Sequence, residues 1–118
     1  MGAVTAAIAA GDPQGQRFEE LELIVDTGST FTALPREMLQ RLNVPVRRTA
    51  QSLLANGTET TVNLGETVIR IEGQTFTTPV IFAEQGEPNL LGVVTLEQAL
   101  LAVDPVAQCL TPTNVLRL

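Results

Sequence analysis

Short apolar runs separated by turn-forming residues give this chain the pattern of a β protein. Val4–Ala9 is the first predicted strand, and Gly11–Gly15 is rich in residues that favour turns. Residues 20–25 alternate between two faces and become more apolar toward Asp26. We therefore predict a second strand that is increasingly buried and ends in a carboxylate, which is costly to bury without a partner.

The residues after this strand read Asp-Thr-Gly-Ser-Thr at positions 26–30. Gly28 permits backbone conformations that other residues avoid, so a sharp turn is expected there. A carboxylate on such a turn is a candidate catalytic group, but a strand followed by a turn is an equally simple interpretation. Average residue usage produces Asp-Thr/Ser-Gly in about one chain in fifty of this length, so the motif needs support from the rest of the chain.

The rest of the pattern predicts hairpins and two short helices. In chain order the predicted elements are a strand at Phe31–Leu34, a helix at Pro35–Leu42, strands at Thr49–Leu54, Thr60–Leu64, Thr67–Ile71 and Phe76–Ala83, a helix at Leu96–Leu100, and strands at Leu101–Val103 and Val106–Leu110. The Asn56-Gly57 pair is the strongest short signal for a hairpin turn. We expect Gly65 to permit a bend or bulge, and Thr95 to cap the second helix.

Length and composition favour one globular domain. The 118 residues are expected to form a single domain over 1–118, since no repeat or long linker is present. Apolar residues make up 44% and aromatic residues 3%, so the core should be aliphatic. The net charge of −6 and the absence of lysine argue against nucleic acid and anionic membranes as partners.

The absence of histidine excludes Ser-His-Asp and Cys-His catalysis and most zinc sites. Cys109 is the single cysteine, so it cannot form an internal disulfide and is expected to pack as a small apolar residue. Arg47 and Arg48 are interpreted as solvated loop charges. No segment has the features of a signal peptide or the length of a membrane span, so we expect a soluble, cytoplasmic protein that uses no metal or cofactor.

Four features in this order resemble the single-domain aspartic proteases. They are the buried strand, Asp-Thr-Gly at 26–28, the Asn-Gly hairpin, and Leu-Leu-Gly at 90–92. The chain is similar to retropepsin-like proteases of clan AA, of the short prokaryotic type, and also to retroviral proteases and the protease-like domain of DNA-damage-inducible proteins. The resemblance extends from Val4 to about Leu110. It implies a mostly β fold, a closed acid-protease barrel with one or two short helices that forms a twofold homodimer.

The resemblance also implies roles for individual residues. In chain order these are Asp26 as the catalytic aspartate; Thr27, Gly28 and Ser29 in the active-site turn; Ala55, Asn56, Gly57 and Thr58 in the flap over the substrate; and Leu90, Leu91 and Gly92 beneath the catalytic loop. Thr27 would join the two turns of the dimer by hydroxyl hydrogen bonds, and Ser29 could bond the carboxylate. Two features differ from retroviral enzymes: valines at 93 and 94 replace the arginine that follows the last glycine, and the flap has one glycine.

Hydrolysis by this route needs one carboxylate to deprotonate water and one carboxylic acid to polarise the peptide carbonyl. Asp12 and Asp104 are interpreted as turn residues, so a complete site requires Asp26 from each of two chains. The implied function is a homodimeric aspartic endopeptidase acting on peptides or proteins. Two alternatives stay open: a catalytically silent homodimeric peptide- or protein-binding module of the same fold, and another acid/base hydrolase that pairs Asp26 with a glutamate, although no glutamate stands out.

Overall fold

The described part of the chain, residues 3–118 in a computed structural model, is mostly β structure with two short helices, as the pattern predicts. In chain order the elements are β1 (Thr5–Gly11), β2 (Phe18–Val25), β3 (Thr32–Pro35), α1 (Arg36–Arg41), β4 (Arg48–Leu53), β5 (Glu59–Ile71), β6 (Gln74–Ala83), β7 (Leu90–Leu91), α2 (Val93–Gln98), β8 (Leu101–Asp104) and β9 (Cys109–Pro112). No helix in this part of the chain is long and apolar enough to cross a membrane.

Seven strands form one sheet, in the order β1-β2-β7-β3-β6-β5-β4, and β1 pairs in addition with β5. The two-residue strand β7 lies between β2, to which it is parallel, and β3, to which it is antiparallel. Val25, the last residue of β2, is opposite Leu91 in this register. The insertion of β7 therefore brings Leu91 and Gly92 beside the turn that begins at Asp26.

The core is aliphatic, as the composition predicts. Its largest fully buried hydrophobic side chains are Leu23, Leu34, Leu39, Leu42, Ile69, Ile71, Val80 and Leu91. They come from α1, from the α1–β4 loop and from five strands of the main sheet. A single cluster of buried residues joins these elements, so the described residues pack around one core.

The bulge that the sequence allows at Gly65 is not formed. The two strands predicted around it are one, because β5 runs without interruption through this residue, which pairs with Val80 of β6. A Cβ atom at position 65 would lie 2.7 Å from the carbonyl oxygen of Pro45 and 3.0 Å from the ring of Phe82. The glycine is therefore needed for close packing of the chain against β5 and not for a bulge.

The second helix begins earlier than predicted. Gly92 is its N-cap and Val93 its first residue, whereas Leu96 is the start that the sequence predicts. Thr95 lies inside the first turn of the helix and its side chain is fully buried, so it does not cap the helix from outside. Its hydroxyl bonds two other buried hydroxyls, and this tertiary role replaces the local capping role that the sequence indicates.

The last predicted strand is also displaced. Val106–Leu110 is not extended throughout, because the Asp104 carboxylate accepts hydrogen bonds from the N–H groups of Val106 and Ala107 at 2.9 and 3.1 Å. These bonds close a turn, and the chain becomes extended again only in β9. β8 and β9 then form a separate two-stranded sheet, and the residues after β9 have no regular structure.

Cys109, the first residue of β9, is exposed in this small sheet. The expectation that it packs as an apolar residue is therefore wrong for the single chain, because β9 lies outside the main sheet. Arg47 and Arg48 are exposed as expected, although Arg48 is already the first residue of β4 and not part of the loop.

Candidate active site

The turn after β2 holds the Asp26 carboxylate by its own backbone. Oδ1 of Asp26 accepts a hydrogen bond from the N–H of Gly28 at 2.9 Å, and the Asp26 carbonyl accepts one from Ser29 N–H at 3.1 Å. A Cβ atom on Gly28 would lie 3.2 Å from the same carboxylate oxygen, so a glycine leaves the carboxylate the most room. The acid is thus fixed in a tight turn, as its position after the strand predicts.

The burial of this acid is less than the sequence indicates. Asp26 is half-buried in the single chain, and Ile24 of the preceding strand is 46% exposed. The strand does not become uniformly buried, because its alternate side chains face away from the core near its end. The expectation of a fully buried carboxylate is therefore wrong for one isolated copy of the chain.

The other turn residues lie at the surface. Thr27 and Gly28 are exposed, and Ser29 is half-buried. Ser29 acts through its backbone, because its carbonyl accepts a hydrogen bond from Val93 N–H at 2.8 Å. Among the described residues there is no hydrogen bond from the Ser29 hydroxyl to the Asp26 carboxylate, so the bond that the resemblance allows is not formed in this state.

Backbone hydrogen bonds join the turn to β7 and to the start of α2. The N–H of Asp26 donates to the carbonyl of Leu91 at 3.0 Å. The first N–H groups of an α-helix have no partner within the helix. In α2, the N–H of Val94 donates instead to the carbonyl of Thr30 at 3.0 Å. α2 has no side-chain N-cap, so the carbonyl groups of the turn satisfy its N-terminus instead.

Gly92 lies directly against the chain that leaves the turn. A Cβ atom there would overlap the carbonyl group of Phe31 and lie 2.7 Å from the nitrogen of Thr32. Its own N–H donates to the Thr32 hydroxyl at 3.0 Å. Leu91 and Gly92 therefore contact the turn and its continuation, and Leu90 pairs with Ile24 and Ala33 beside them.

The hairpin between β4 and β5 has the turn predicted from Asn56-Gly57. Gly57 has a φ of +87°, and its N–H donates to the Leu54 carbonyl at 2.9 Å. The side-chain oxygen of Asn56 accepts a hydrogen bond from Thr58 N–H at 2.9 Å. Ala55, Asn56, Gly57 and Thr58 are all exposed.

A cleft of about 310 Å³ is lined by both the turn and the hairpin. Its lining residues are Gly28, Ser29, Thr30, Phe31, Ala50, Gln51, Ser52, Leu53, Val62, Leu64 and Ile81. None of these side chains is charged. The hairpin contributes its strands to this lining and not its tip, so residues 55–58 do not border the cleft in this state. These strand residues are not predictable as site residues from the sequence, because alternation predicts which positions share a face but not which face lines a cleft.

A second and larger concave surface, which we call the apolar groove, also includes a residue of the turn. It has a volume of about 800 Å³ and is lined by Thr27, Val93, Leu96, Glu97, Leu100, Leu101, Ala102, Val103, Thr113, Asn114, Val115 and Leu116. Val115 and Leu116 are 62% and 93% exposed. The turn thus contributes residues to both an uncharged cleft and an apolar groove.

The two other aspartates are engaged in turns, as expected. Asp12 is buried, and its Oδ1 accepts hydrogen bonds from the N–H groups of Gln16 and Arg17, both at 2.7 Å. The bond from Arg17 is the main reason that the pKa of Asp12 lies below its ordinary value. Asp104 closes the turn before β9. Residues 3–118 contain no group of three or more His, Cys, Asp or Glu side chains that could hold a metal ion.

The remaining charged contacts lie outside the turn and the cleft. Arg36 pairs with Glu84 at 2.7 Å, and its guanidinium lowers the pKa of that carboxyl. Arg41 pairs with Glu19 at 2.8 Å and lowers its pKa in the same way. These pairs join α1 to neighbouring segments, and we assign them a structural role.

A family model described as gag-polyprotein putative aspartyl protease matches residues 14–98 of this chain. The matched segment includes the turn at 26–30, the hairpin, β7 and α2, which are the elements that build the site. No curated protein sequence matches the chain at a significant level.

Proposed function

Since the match covers more than half of its length, this chain belongs to the gag-polyprotein putative aspartyl protease family, and on that basis we propose that it is a homodimeric aspartic endopeptidase. The observation that carries the proposal is the state of Asp26. Within residues 3–118 its carboxylate accepts one hydrogen bond, from Gly28 N–H, on a turn that borders an uncharged cleft. An ionised carboxylate can accept about four hydrogen bonds, so Asp26 has capacity left for water or for a second carboxyl group.

The chemistry requires a second carboxyl group, and a second copy of the chain supplies it. Asp12 and Asp104 are both occupied by backbone N–H groups of their own turns. Two Asp26 side chains held close together would repel each other as anions, so the pair would share one proton. The ionised member deprotonates a water molecule, while the protonated member donates a hydrogen bond to the peptide carbonyl.

The apolar groove supports the dimer. It begins at Thr27, beside the candidate catalytic residue, and continues along the exposed apolar side chains of Val115 and Leu116. Contact with a second copy would remove this surface from water and bring the two turns together. In that arrangement Thr27 would bond across the twofold axis. Within each copy, the pairing of β1 with β5 supports the closed barrel that the family implies.

The substrate of this enzyme is a peptide in extended conformation. Such a chain would pass through the cleft between the turn and the hairpin, with its side chains alternating between the two sides. Phe31, Val62, Leu64 and Ile81 line the cleft, and no charged side chain does. We therefore propose that uncharged, apolar residues flank the scissile bond, and that the hairpin tip closes over them.

A peptide-library digest over a range of pH tests the proposal. We expect cleavage that a statine-type inhibitor blocks, and a specific activity that falls steeply when the protein is diluted below its dimer dissociation constant. Sedimentation at the same concentrations should show dimer and monomer in proportion to the activity. A monomeric species that still cleaves peptides would contradict the two-chain mechanism.

One observation favours the silent binding module as a second candidate. The hairpin tip has a single glycine, and its three tip hydrogen bonds are internal to residues 54–58. The binding module would bind peptides in the same cleft without turnover. Peptide binding that is equal in the wild type and in Asp26→Asn, with no cleavage by either protein at any pH, would establish this alternative.

A further inference from the structure

Beneath the candidate catalytic turn lies a chain of hydroxyl groups, which we call the hydroxyl relay: Thr32, Thr95 and Thr78, ending at Gln98. The three threonine side chains are fully buried. Thr32 belongs to β3, Thr95 to α2 and Thr78 to β6, so the relay joins three elements that are distant in sequence. Nothing in the proposed chemistry uses these residues directly.

The distances define a continuous series of hydrogen bonds. The Oγ1 atoms of Thr32 and Thr95 are 2.6 Å apart, and those of Thr95 and Thr78 are 2.8 Å apart. Thr78 Oγ1 lies 2.6 Å from Oε1 of Gln98. At the other end, the N–H of Gly92 donates to the Thr32 hydroxyl at 3.0 Å.

The two ends fix the direction of every bond in the relay. The carbonyl of Thr77 can only accept, so Gln98 presents its Nε2 to it, at 3.0 Å, and its Oε1 to Thr78. Each hydroxyl carries one hydrogen, and Thr78 gives its hydrogen to Gln98. Thr95 must then donate to Thr78.

The same assignment of one hydrogen to each hydroxyl group extends to the start of the relay. Thr95 has used its hydrogen on Thr78, so Thr32 must donate to Thr95. Thr32 in turn accepts from Gly92 N–H, which can only donate. All bonds therefore point the same way, an arrangement in which each bond polarises and strengthens the next.

The relay acts on the segment that supports Asp26. Gly92 donates to Thr32, the first member of the relay, and Leu91 immediately before Gly92 accepts the hydrogen bond from Asp26 N–H. Val93 immediately after it donates to Ser29 in the turn. A shift at Gly92 would therefore move the backbone that holds the carboxylate from both sides.

We propose that the hydroxyl relay sets the position of the catalytic turn, and that Thr95, its central member, is a positioning residue for Asp26. This role rests on the proposed peptidase function, but the geometry that it controls can be measured without it. The relay contains no group that titrates, so its effect on the turn is independent of pH over the working range of an aspartic dyad.

Thr95→Val tests the role, because valine has nearly the shape of threonine without the hydroxyl. The variant leaves the hydrogen of Thr32 without an acceptor and Thr78 without a donor. We expect kcat for peptide cleavage to fall about tenfold or more with little change in KM, since small errors in catalytic geometry are costly. Thr95→Ser keeps the hydroxyl and should restore most of kcat.

The matched control is Thr67→Val. Thr67 is also buried, at 1% exposure, and its hydroxyl makes one comparable hydrogen bond, to the Gly11 carbonyl at 2.8 Å. It lies outside the relay and outside the site. This variant should lower the melting temperature and leave kcat unchanged.

A measurement that needs no activity separates this role from the proposed function. In a ¹H–¹⁵N spectrum, the amide signals of Gly28 and Gly92 should move in Thr95→Val, return in Thr95→Ser, and stay in place in Thr67→Val. If the wild type cleaves no peptide but these shifts occur, the peptidase function fails and the positioning role stands. If Thr95→Val and Thr67→Val differ neither in kcat nor in these signals, the positioning role is wrong.

A second variant covers the case in which Thr95→Val fails to fold. Gln98 is exposed, so Gln98→Met should be tolerated while it removes the final acceptor of the relay. We expect kcat and the Gly92 signal to change in the same direction as in Thr95→Val, but by less. Wild-type values for both would overturn the proposal.

Discussion

Asp12 and Asp26 each begin a turn, but the two turns use their carboxylates differently. In the turn after β1, Asp12 is buried, and one carboxylate oxygen accepts two backbone hydrogen bonds at 2.7 Å. In the turn after β2, Asp26 is half-buried and accepts one, from Gly28, at 2.9 Å. The Asp12 carboxylate is bonded to the backbone of its own turn, whereas the Asp26 carboxylate keeps most of its hydrogen-bonding capacity.

The two turns also differ in what holds them. The Asp12 turn closes on itself, through bonds from Asp12 N–H to the Arg17 carbonyl and from Gly15 N–H to the Asp12 carbonyl. The Asp26 turn is joined to β7 and α2, far away in sequence. The backbone of Asp26 is thus positioned by distant elements of the fold, whereas the backbone of Asp12 is positioned only by residues of its own turn in these bonds.

The largest expected effect comes from exchanging each acid for its amide. Asp26→Asn removes the dyad from both chains of the dimer and should reduce peptide cleavage by about ten-thousandfold. The asparagine oxygen can still accept from Gly28 N–H, so the melting temperature and the dimer should be retained. Asp12→Asn should do the reverse, with a lower melting temperature and unchanged kcat.

Initial rates and thermal unfolding of both variants check this prediction. Equal cleavage by Asp26→Asn and the wild type would remove Asp26 from the chemistry. Loss of the fold in Asp26→Asn would show instead that this carboxylate is as structural as that of Asp12.

Gly92→Ala and Gly15→Ala each add one methyl group, and we expect them to lower the free energy of unfolding by different amounts. Gly92→Ala places a Cβ against the backbone of Phe31 and Thr32, which cannot move aside as a side chain could. We expect a loss of about 3 kcal/mol in the free energy of unfolding. Gly15→Ala meets no atom within 4 Å, but its φ of +67° is unfavourable for alanine, so about 1 kcal/mol is expected.

Urea unfolding of the two glycine variants measures both values. Gly92→Ala should also reduce the rate of peptide cleavage more than Gly15→Ala does, because Gly92 supports the catalytic turn and Gly15 does not. A Gly92→Ala protein as stable as Gly15→Ala would mean that the support beneath Asp26 can adapt, contrary to the geometry.

The sequence predicts well those features that depend on neighbouring residues. The turn at Asp26 and the hairpin at Asn56-Gly57 both follow from residues adjacent in the chain, and both are observed. The mostly β fold follows from the alternation of apolar and polar positions. The supporting role of Gly92 came from the resemblance, because no local rule indicates which backbone a glycine will approach.

The errors come from contacts between distant residues. The hydroxyl of Thr95 bonds Thr32, 63 positions away, and a capping interpretation uses only its near neighbours. A local rule assigns a bend to Gly65, but the nearby carbonyl of Pro45 excludes a Cβ there. Tertiary packing decided each of these positions.

The smallest expected effect is a difference in acid stability between the wild type and Asp12→Asn. The folded state lowers the pKa of Asp12 below its ordinary value of 3.8, because backbone N–H groups favour its ionised form. The stability from this carboxylate is therefore fully present above 3.8 and is lost as the pH falls through the lower, folded value.

Thermal unfolding at a series of pH values from neutral to below this range measures that loss. The amide introduced by Asp12→Asn accepts the same two hydrogen bonds but cannot ionise, so the wild type should be the more stable protein at neutral pH, and the gap should close on acidification. Glu19 and Glu84 also have lowered pKa values, but they are common to both proteins and cancel in the comparison. A stability difference between the two proteins that stays constant down to the lowest pH would show that the shape of Asp12, and not its charge, holds the turn closed. The electrostatic part of the contrast with Asp26 would then be wrong.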